Sequence, residues 1–316
     1  MMNFLRLIRY KNLLIIVLTQ YLMRWSIIRP LLKVNQFELQ FSELHFFFLV
    51  MATVLITAAG YVINDYFDTK TDLVNRPEKV ILGRKLNRRW AILLHIIFNT
   101  IGIGLGTYIS FYIGLPILSL VFVMITGILW FYSTTYKRQF LIGNVIVALL
   151  TALVPLMVLL FEIPLLRAKY GLLMLELKAS FNYIILWVIA FSFYAFLLTL
   201  IREVIKDIED FEGDNAYGRN TMPIVLGVMN TKIVIITFIL LTQFSLLYVY
   251  FRFLKDTFTL VYFGVFLIVP LLMLLYKLLT AKKKMDYHLA SNLSKVIMLA
   301  GILYALVANY LILQHF

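Results

Sequence analysis

Six aspartates in this chain fall into two groups of identical spacing: Asp65, Asp68 and Asp72, then Asp207, Asp210 and Asp214. Each group runs i, i+3, i+7, which sets three carboxylates on one face of a helix. Like charges at that spacing repel, so a cation belongs with them. Carboxylate oxygens suit a hard divalent ion. Magnesium fits better than calcium, because it takes one or two carboxylates and keeps water or substrate phosphates as its other ligands. Two facing sets predict two such ions around one diphosphate, with all six aspartates as candidate metal ligands. The competing reading is solvated acid at two helix ends, and the matched spacing argues against it.

Donors for phosphate oxygens lie nearby in sequence. Asn75-Arg76-Pro77-Glu78-Lys79 follows the first group, and Arg202 and Lys206 precede the second. Tyr132-Ser133 and Lys137-Arg138 sit between them. Charged donors of this kind make the strong hydrogen bonds to phosphate. The run Arg84, Lys85, Arg88, Arg89 and the run Lys282 to Lys284 read instead as ordinary loop charges. The chain has no cysteine, which excludes disulfides, thiol nucleophiles and Cys–zinc sites. Its four histidines, His45, His95, His288 and His315, share no helical face, so a histidine-based metal site is not expected.

The elements that position these residues are membrane helices. Hydrophobic residues make up 62% of the 316 and charged ones only 14%, where soluble domains run near 25% charged. Nine segments are long and apolar enough to span a bilayer: 12–34, 45–66, 91–110, 114–135, 142–162, 183–201, 231–251, 258–276 and 293–314. Arg24 and Arg29 make the first the weakest. Alternating the spans from a cytoplasmic N-terminus puts 21 of the 29 basic residues on the inner side, as the positive-inside rule requires. The net charge of +13 then belongs to loops facing anionic lipid, not to nucleic acid. The opening MMNFLRLIRYKNLL lacks a small-residue cleavage site and reads as a mature terminus. No long polar stretch divides the chain, so 1–316 reads as one membrane domain. Four helices separate the two acidic groups, which places both on the cytoplasmic side and hints at a duplicated four-helix unit.

The motifs resemble those of the UbiA superfamily of intramembrane prenyltransferases. Asn64 to Asp72 match N-D-x-x-D-x-x-x-D in full, and Asn75 to Lys79 match N-R-P-x-R/K. The P-I-P-S-G that usually follows is degraded to Val80-Ile81-Leu82-Gly83. Asp207 to Asp214 match D-x-E-D-x-x-G-D, and Tyr132, Ser133, Lys137, Arg138, Gly143 and Asn144 match a Tyr-Ser…Lys-Arg…Gly-Asn element. An N-terminal R-P-x-N element is present as Arg9-Tyr10-Lys11-Asn12, without its proline.

The resemblance implies an all-α bundle of nine transmembrane helices with a central cavity and a cytoplasmic cap. It implies that Asp68, Asp72, Asp210 and Asp214 hold magnesium on an isoprenyl diphosphate, with Lys137 counted among the catalytic groups. Asn64 and Arg138 would assist the diphosphate, and Asn12, Arg76, Tyr132, Ser133, Arg202 and Lys206 complete the candidate contacts. Such a reaction neutralises the departing diphosphate and leaves a cation-like allylic carbon for an acceptor to attack. A lipid-embedded cavity excludes water and dissolves the isoprenoid tail. Tyr61, Tyr66, Phe131 and Tyr132 lie near enough to face such a cation, though most aromatics of a bundle face lipid or core. The second motif is most similar to the branch that prenylates geranylgeranylglycerol phosphate. The quinone-pathway branch instead alkylates an aromatic carbon of hydroxybenzoate or dihydroxynaphthoate. A CDP-alcohol phosphotransferase needs a D-G…A-R pattern that neither group has. A transporter would carry its acids near the midplane, and a scaffold without activity would not need a complete set of aspartates.

Overall fold

The computed structural model describes residues 2–176 and 179–314, except the side chain of Lys79. His315 and that lysine side chain therefore lie outside the described residues. The chain is helical almost throughout; among the described residues the one β feature is an isolated bridge, Leu82 to Leu86. It folds as two compact units. The first comprises Met1–Tyr136 with Leu153–Ile189, and the second Lys137–Ala152 with Ala190–Phe316.

The first unit opens with α1 (Met2–Leu7) and α2 (Tyr10–Leu22). A π turn over Met23–Ile28 carries α2 directly into α3 (Arg29–Val34). Next come α4 (Glu43–Asn75), α5 (Arg88–Tyr112) and α6 (Ser119–Thr134). Local chemistry sets their starts. Ser42 caps α4 by accepting from the His45 amide, and Asn87 caps α5 by accepting from the Arg89 amide, each satisfying an otherwise orphaned N–H. Helix α5 lies close against α4 and α6 through two glycines one turn apart. A Cβ on Gly102 would stand 2.7 Å from the Ile56 side chain, and one on Gly106 2.4 Å from the Phe122 ring. Small residues of this kind let membrane helices approach without help from the hydrophobic effect.

Helix α7 (Ile142–Glu176) contributes to both units and carries Pro155 and Pro164 inside it. Helix α8 (Asn182–Glu209) does likewise, and the second unit continues with α9 (Phe211–Ala216) and α10 (Met222–Val249). The run α11 (Thr257–Tyr262), a π turn and α12 (Val269–Thr280) leads to the final α13 (Lys284–Gln314). Gly227 breaks α10 with φ 80°, a backbone state open to glycine at little cost. That break sets the first turn, residues 222–226, apart from the rest of the helix, ahead of the expected span start at 231.

Eight of the described helices are long and apolar enough to cross a membrane. The expected ninth, 12–34, is helical throughout but falls outside that set, so a count of nine is not established by length and apolarity. Several helices outrun their apolar spans. The second expected span ends at 66, yet α4 continues to Asn75; the sixth ends at 201, yet α8 continues to Glu209. The first acidic group thus lies wholly on α4, toward its C-terminal end, and the second begins on the extension of α8, at Asp207.

Candidate active site

In the first unit, Asp65, Asp68 and Asp72 occupy consecutive turns of α4, so the single face read from their spacing is formed. Asp68 is buried and accepts from Asn64 Nδ2 at 2.9 Å. Asp65 is held from outside its helix: Arg9 Nη2 reaches its Oδ1 at 2.7 Å. Arg9 itself sits in the left-handed region at φ 52° between α1 and α2, which costs an L-residue roughly 1–2 kcal/mol. Its guanidinium stacks over Tyr61 at 4.9 Å, and Asn12 Nδ2 donates to the Tyr61 hydroxyl at 3.3 Å. Desolvation opposes the Arg9 charge, but Asp65, with Tyr61 and Asp72 behind it, holds the group more firmly protonated than usual. The proline-less N-terminal element thus meets the first aspartate through Arg9 and the residue one turn before it, Tyr61, through Asn12. Arg76 ends α4, its amide bonded to the Asp72 carbonyl at 2.8 Å. Tyr132 and Ser133 lie in the last turn of α6; Ser133 is fully buried and donates to the Leu129 carbonyl at 2.9 Å.

In the second unit the aspartate face is interrupted. Helix α8 ends at Glu209, and Asp210 takes φ −94°, ψ 9° before α9 begins. Backbone bonds from Asp210 to Lys206 (2.9 Å) and from Asp214 to Asp210 (3.1 Å) keep the helical sense across the break. The pattern of support mirrors the first unit. Asp207 is held from another helix by Asn144 Nδ2 at 2.8 Å, and Asp210 has Lys206 at 3.7 Å one turn before it. Asp214, nearly inaccessible, receives Arg219 Nη1 at 3.2 Å. Lys137 and Arg138 form a 3₁₀ turn before α7, and the Arg138 carbonyl accepts from the Asn220 amide at 2.8 Å. That bond ties the Lys-Arg turn to the loop that follows Asp214. Arg202 is engaged by its neighbour Glu203.

Sequence reading named the aspartates, and gave Asn64 and Lys206 only as diphosphate contacts, but missed the other residues that hold them. Arg9 and Asn144 lay inside recognised elements without a role. Arg219 carried no signal beyond being a cation five residues past an aspartate. His288, which bonds Glu209 at 2.8 Å, carried none.

The donor chemistry fits magnesium. Every candidate ligand is a carboxylate oxygen, and hard cations prefer such ligands. Among the described residues no three His, Asp or Glu side chains are gathered into a metal cage. Magnesium does not need one, since it binds through one or two carboxylates plus substrate phosphates.

The chain from Methanosphaera stadtmanae named digeranylgeranylglyceryl phosphate synthase is 30% identical over 253 residues, covering 79% of this chain and 82% of that one. The chain of the same name from Methanothermobacter thermautotrophicus is 32% identical over 202 residues, but the match spans only 63% of either length. Among solved structures, one of digeranylgeranylglyceryl phosphate synthase matches with a TM-score of 0.60 at 21% identity, covering 97% of both chains. A UbiA homolog from Archaeoglobus fulgidus bound to DMAPP and Mg2+ matches at 0.54 and 15% identity, covering 99% of this chain and 100% of that one. These establish the fold. The UbiA prenyltransferase family model matches residues 36–307, taking in both aspartate motifs, and the chain belongs to that family.

Proposed function

We propose that this protein transfers an isoprenyl group from an allylic isoprenyl diphosphate to the primary hydroxyl of geranylgeranylglyceryl phosphate, with magnesium as cofactor. The observation that carries the reading is the repeated design of the two motifs. In each, the first aspartate is bonded by a polar side chain from outside its own helix and the second has a donor one turn before it. Asp65 and Asp207 are structural anchors on this reading. Asp68 and Asp72 are the carboxylates of the first motif that would hold magnesium, and Asp210 and Asp214 are those of the second. Magnesium held there would supply positive charge to offset the negative charge gathering on the diphosphate as it leaves. Lys137 and Arg138 donate to phosphate oxygens, as do Asn64 and Arg76. The C1–O bond of the donor breaks, the acceptor oxygen bonds to C1, and the hydroxyl proton is released. The acceptor follows from the similarity to relatives named digeranylgeranylglyceryl phosphate synthase and from the Asp-x-Glu-Asp-x-x-Gly-Asp form of the second motif. The basic-residue bias supports an orientation in the cell membrane with the N-terminus and both motifs cytoplasmic.

The test is incubation of purified protein with geranylgeranyl diphosphate, magnesium and a choice of acceptors, with products identified by mass. Digeranylgeranylglyceryl phosphate is expected. A prenylated hydroxybenzoate or dihydroxynaphthoate in its place would move the chain to the quinone-type branch. Asp68→Ala and Asp210→Ala should each abolish transfer while helical circular dichroism persists. Turnover retained in both would sink the assignment.

A further inference from the structure

Glu209 lies inside the second motif, between Asp207 and Asp210, yet does not share their face. At 100° per residue it projects roughly opposite Asp207 and Asp214 on the helix, so it is not placed to ligate with them. It is nonetheless buried, with 4% of its side chain accessible. A carboxylate taken out of water needs a compensating partner. His288, in the second turn of α13, supplies one: Nδ1 lies 2.8 Å from Glu209 Oε1. A carboxylate oxygen accepts, and Nδ1 is assigned the hydrogen. The bond falls at the last residue of α8, immediately before Asp210 leaves helical geometry. It ties the helix end to α13 at the point where Asp210 departs from helical φ and ψ.

We infer that His288 is a positioning residue for the second aspartate face: through Glu209 it sets the orientation in which Asp210 and Asp214 meet a divalent cation. The inference rests on the metal-dependent reading above and adds to it a residue from the last helix, outside every motif. Outer partners that orient ligands typically govern metal affinity by 10–100-fold.

The experiment compares His288→Leu, which removes the donor, with His288→Asn, which is of similar size and keeps an N–H near the Nδ1 position. Mn2+ binding to the full-length detergent-solubilised protein is followed by electron paramagnetic resonance, and the magnesium dependence of transfer is measured alongside. His288→Leu should weaken Mn2+ binding about tenfold and raise the magnesium needed for half-maximal rate by a similar factor, with the acceptor KM unchanged. His288→Asn should stay within about twofold of wild type, since the hydrogen bond is conserved. Equal Mn2+ affinity in wild type and Leu variant overturns the inference. So does equal impairment of the Leu and Asn variants, which marks His288 as packing alone. Should the Leu variant not fold, Glu209→Gln, which keeps an acceptor for Nδ1, against Glu209→Leu decides by the same two criteria. A wild type that binds Mn2+ but transfers nothing refutes the prenyl-transfer reading, while the affinity comparison still judges His288.

Discussion

Arg9 and Arg24 look alike in the sequence, and their surroundings give them opposite weights. Arg9 meets Asp65 at 2.7 Å with more than a third of its side chain accessible. A pair so exposed contributes about 0–1 kcal/mol, so Arg9→Ala should barely move thermal stability. Its effect should be local: with Asp65 unheld, the diphosphate KM rises while the unfolding midpoint in detergent stays within a degree or two. Arg24 is another case. It is 1% accessible and bonds Glu162, also 1% accessible, at 3.0 Å. Glu43 lies at 2.9 Å, the Phe41 carbonyl accepts a further bond, and the Phe46 ring stacks at 4.6 Å. Breaking a buried pair leaves a bare charge and costs about 3–5 kcal/mol. Arg24→Ala should therefore lower the midpoint steeply. Replacing both partners, Arg24→Met with Glu162→Leu, should recover only part of the loss, because Glu162 Oε1 also accepts from the Gln40 and Phe41 amides at 2.5 and 3.2 Å. Full recovery, measured by thermal unfolding in detergent, would show that those two backbone bonds are dispensable.

At the scale of elements, what the sequence displays is what periodicity and charge can carry. The aspartate spacing placed the carboxylates on a helical face, and α4 bears it out. The same spacing could not show that the second face is broken at Asp210, since a break in φ and ψ leaves no mark on an i, i+3, i+7 count. Hydropathy located the helices but cut them short, because Asn64 to Asn75 and Arg202 to Glu209 are helical without being apolar. The holders Arg9, Asn144, Arg219 and His288 were illegible for another reason: their partners are set by tertiary placement, and only the partner makes them informative. Helix approach was hidden likewise in Gly102 and Gly106. Among the glycines of α5 and α6, these two face the Ile56 and Phe122 side chains, whereas Gly104 and Gly127 meet nothing within 4 Å. Gly106→Ala should destabilise by about 1–3 kcal/mol, the usual cost of overpacking. Gly127→Ala should be neutral or stabilise, since alanine gains up to about 1 kcal/mol over glycine in a helix. Equal midpoints for the two variants would mean that α5 shifts away from Phe122 at no cost.

At the scale of the molecule, the open quantity is how often the chain crosses the bilayer, and it turns on α2 and α3. The continuous helix from Tyr10 to Val34 has 25 residues, about 37 Å at 1.5 Å per residue, enough for a hydrocarbon core of about 30 Å. Its defect is charge, and the structure conceals much of that. Arg24 is neutralised within the first unit by Glu162 and Glu43. Arg29 is exposed but lies over the Trp25 ring at 4.4 Å, an amphipathic pairing suited to the interface. A helix so masked should cross, which gives nine spans. The absence of native cysteine makes the test clean, because one introduced thiol is the only thiol. Arg6→Cys and Glu38→Cys flank the helix at exposed positions, and Arg84→Cys marks the far end of α4. In intact cells a membrane-impermeant maleimide should label the Glu38 variant and spare the other two until the membrane is opened. If α2 and α3 do not cross, Arg6 and Glu38 will share one labelling pattern and Arg84 will show the opposite one. If Arg84 labels from outside, the inward placement of the first aspartate motif is wrong, whatever the count.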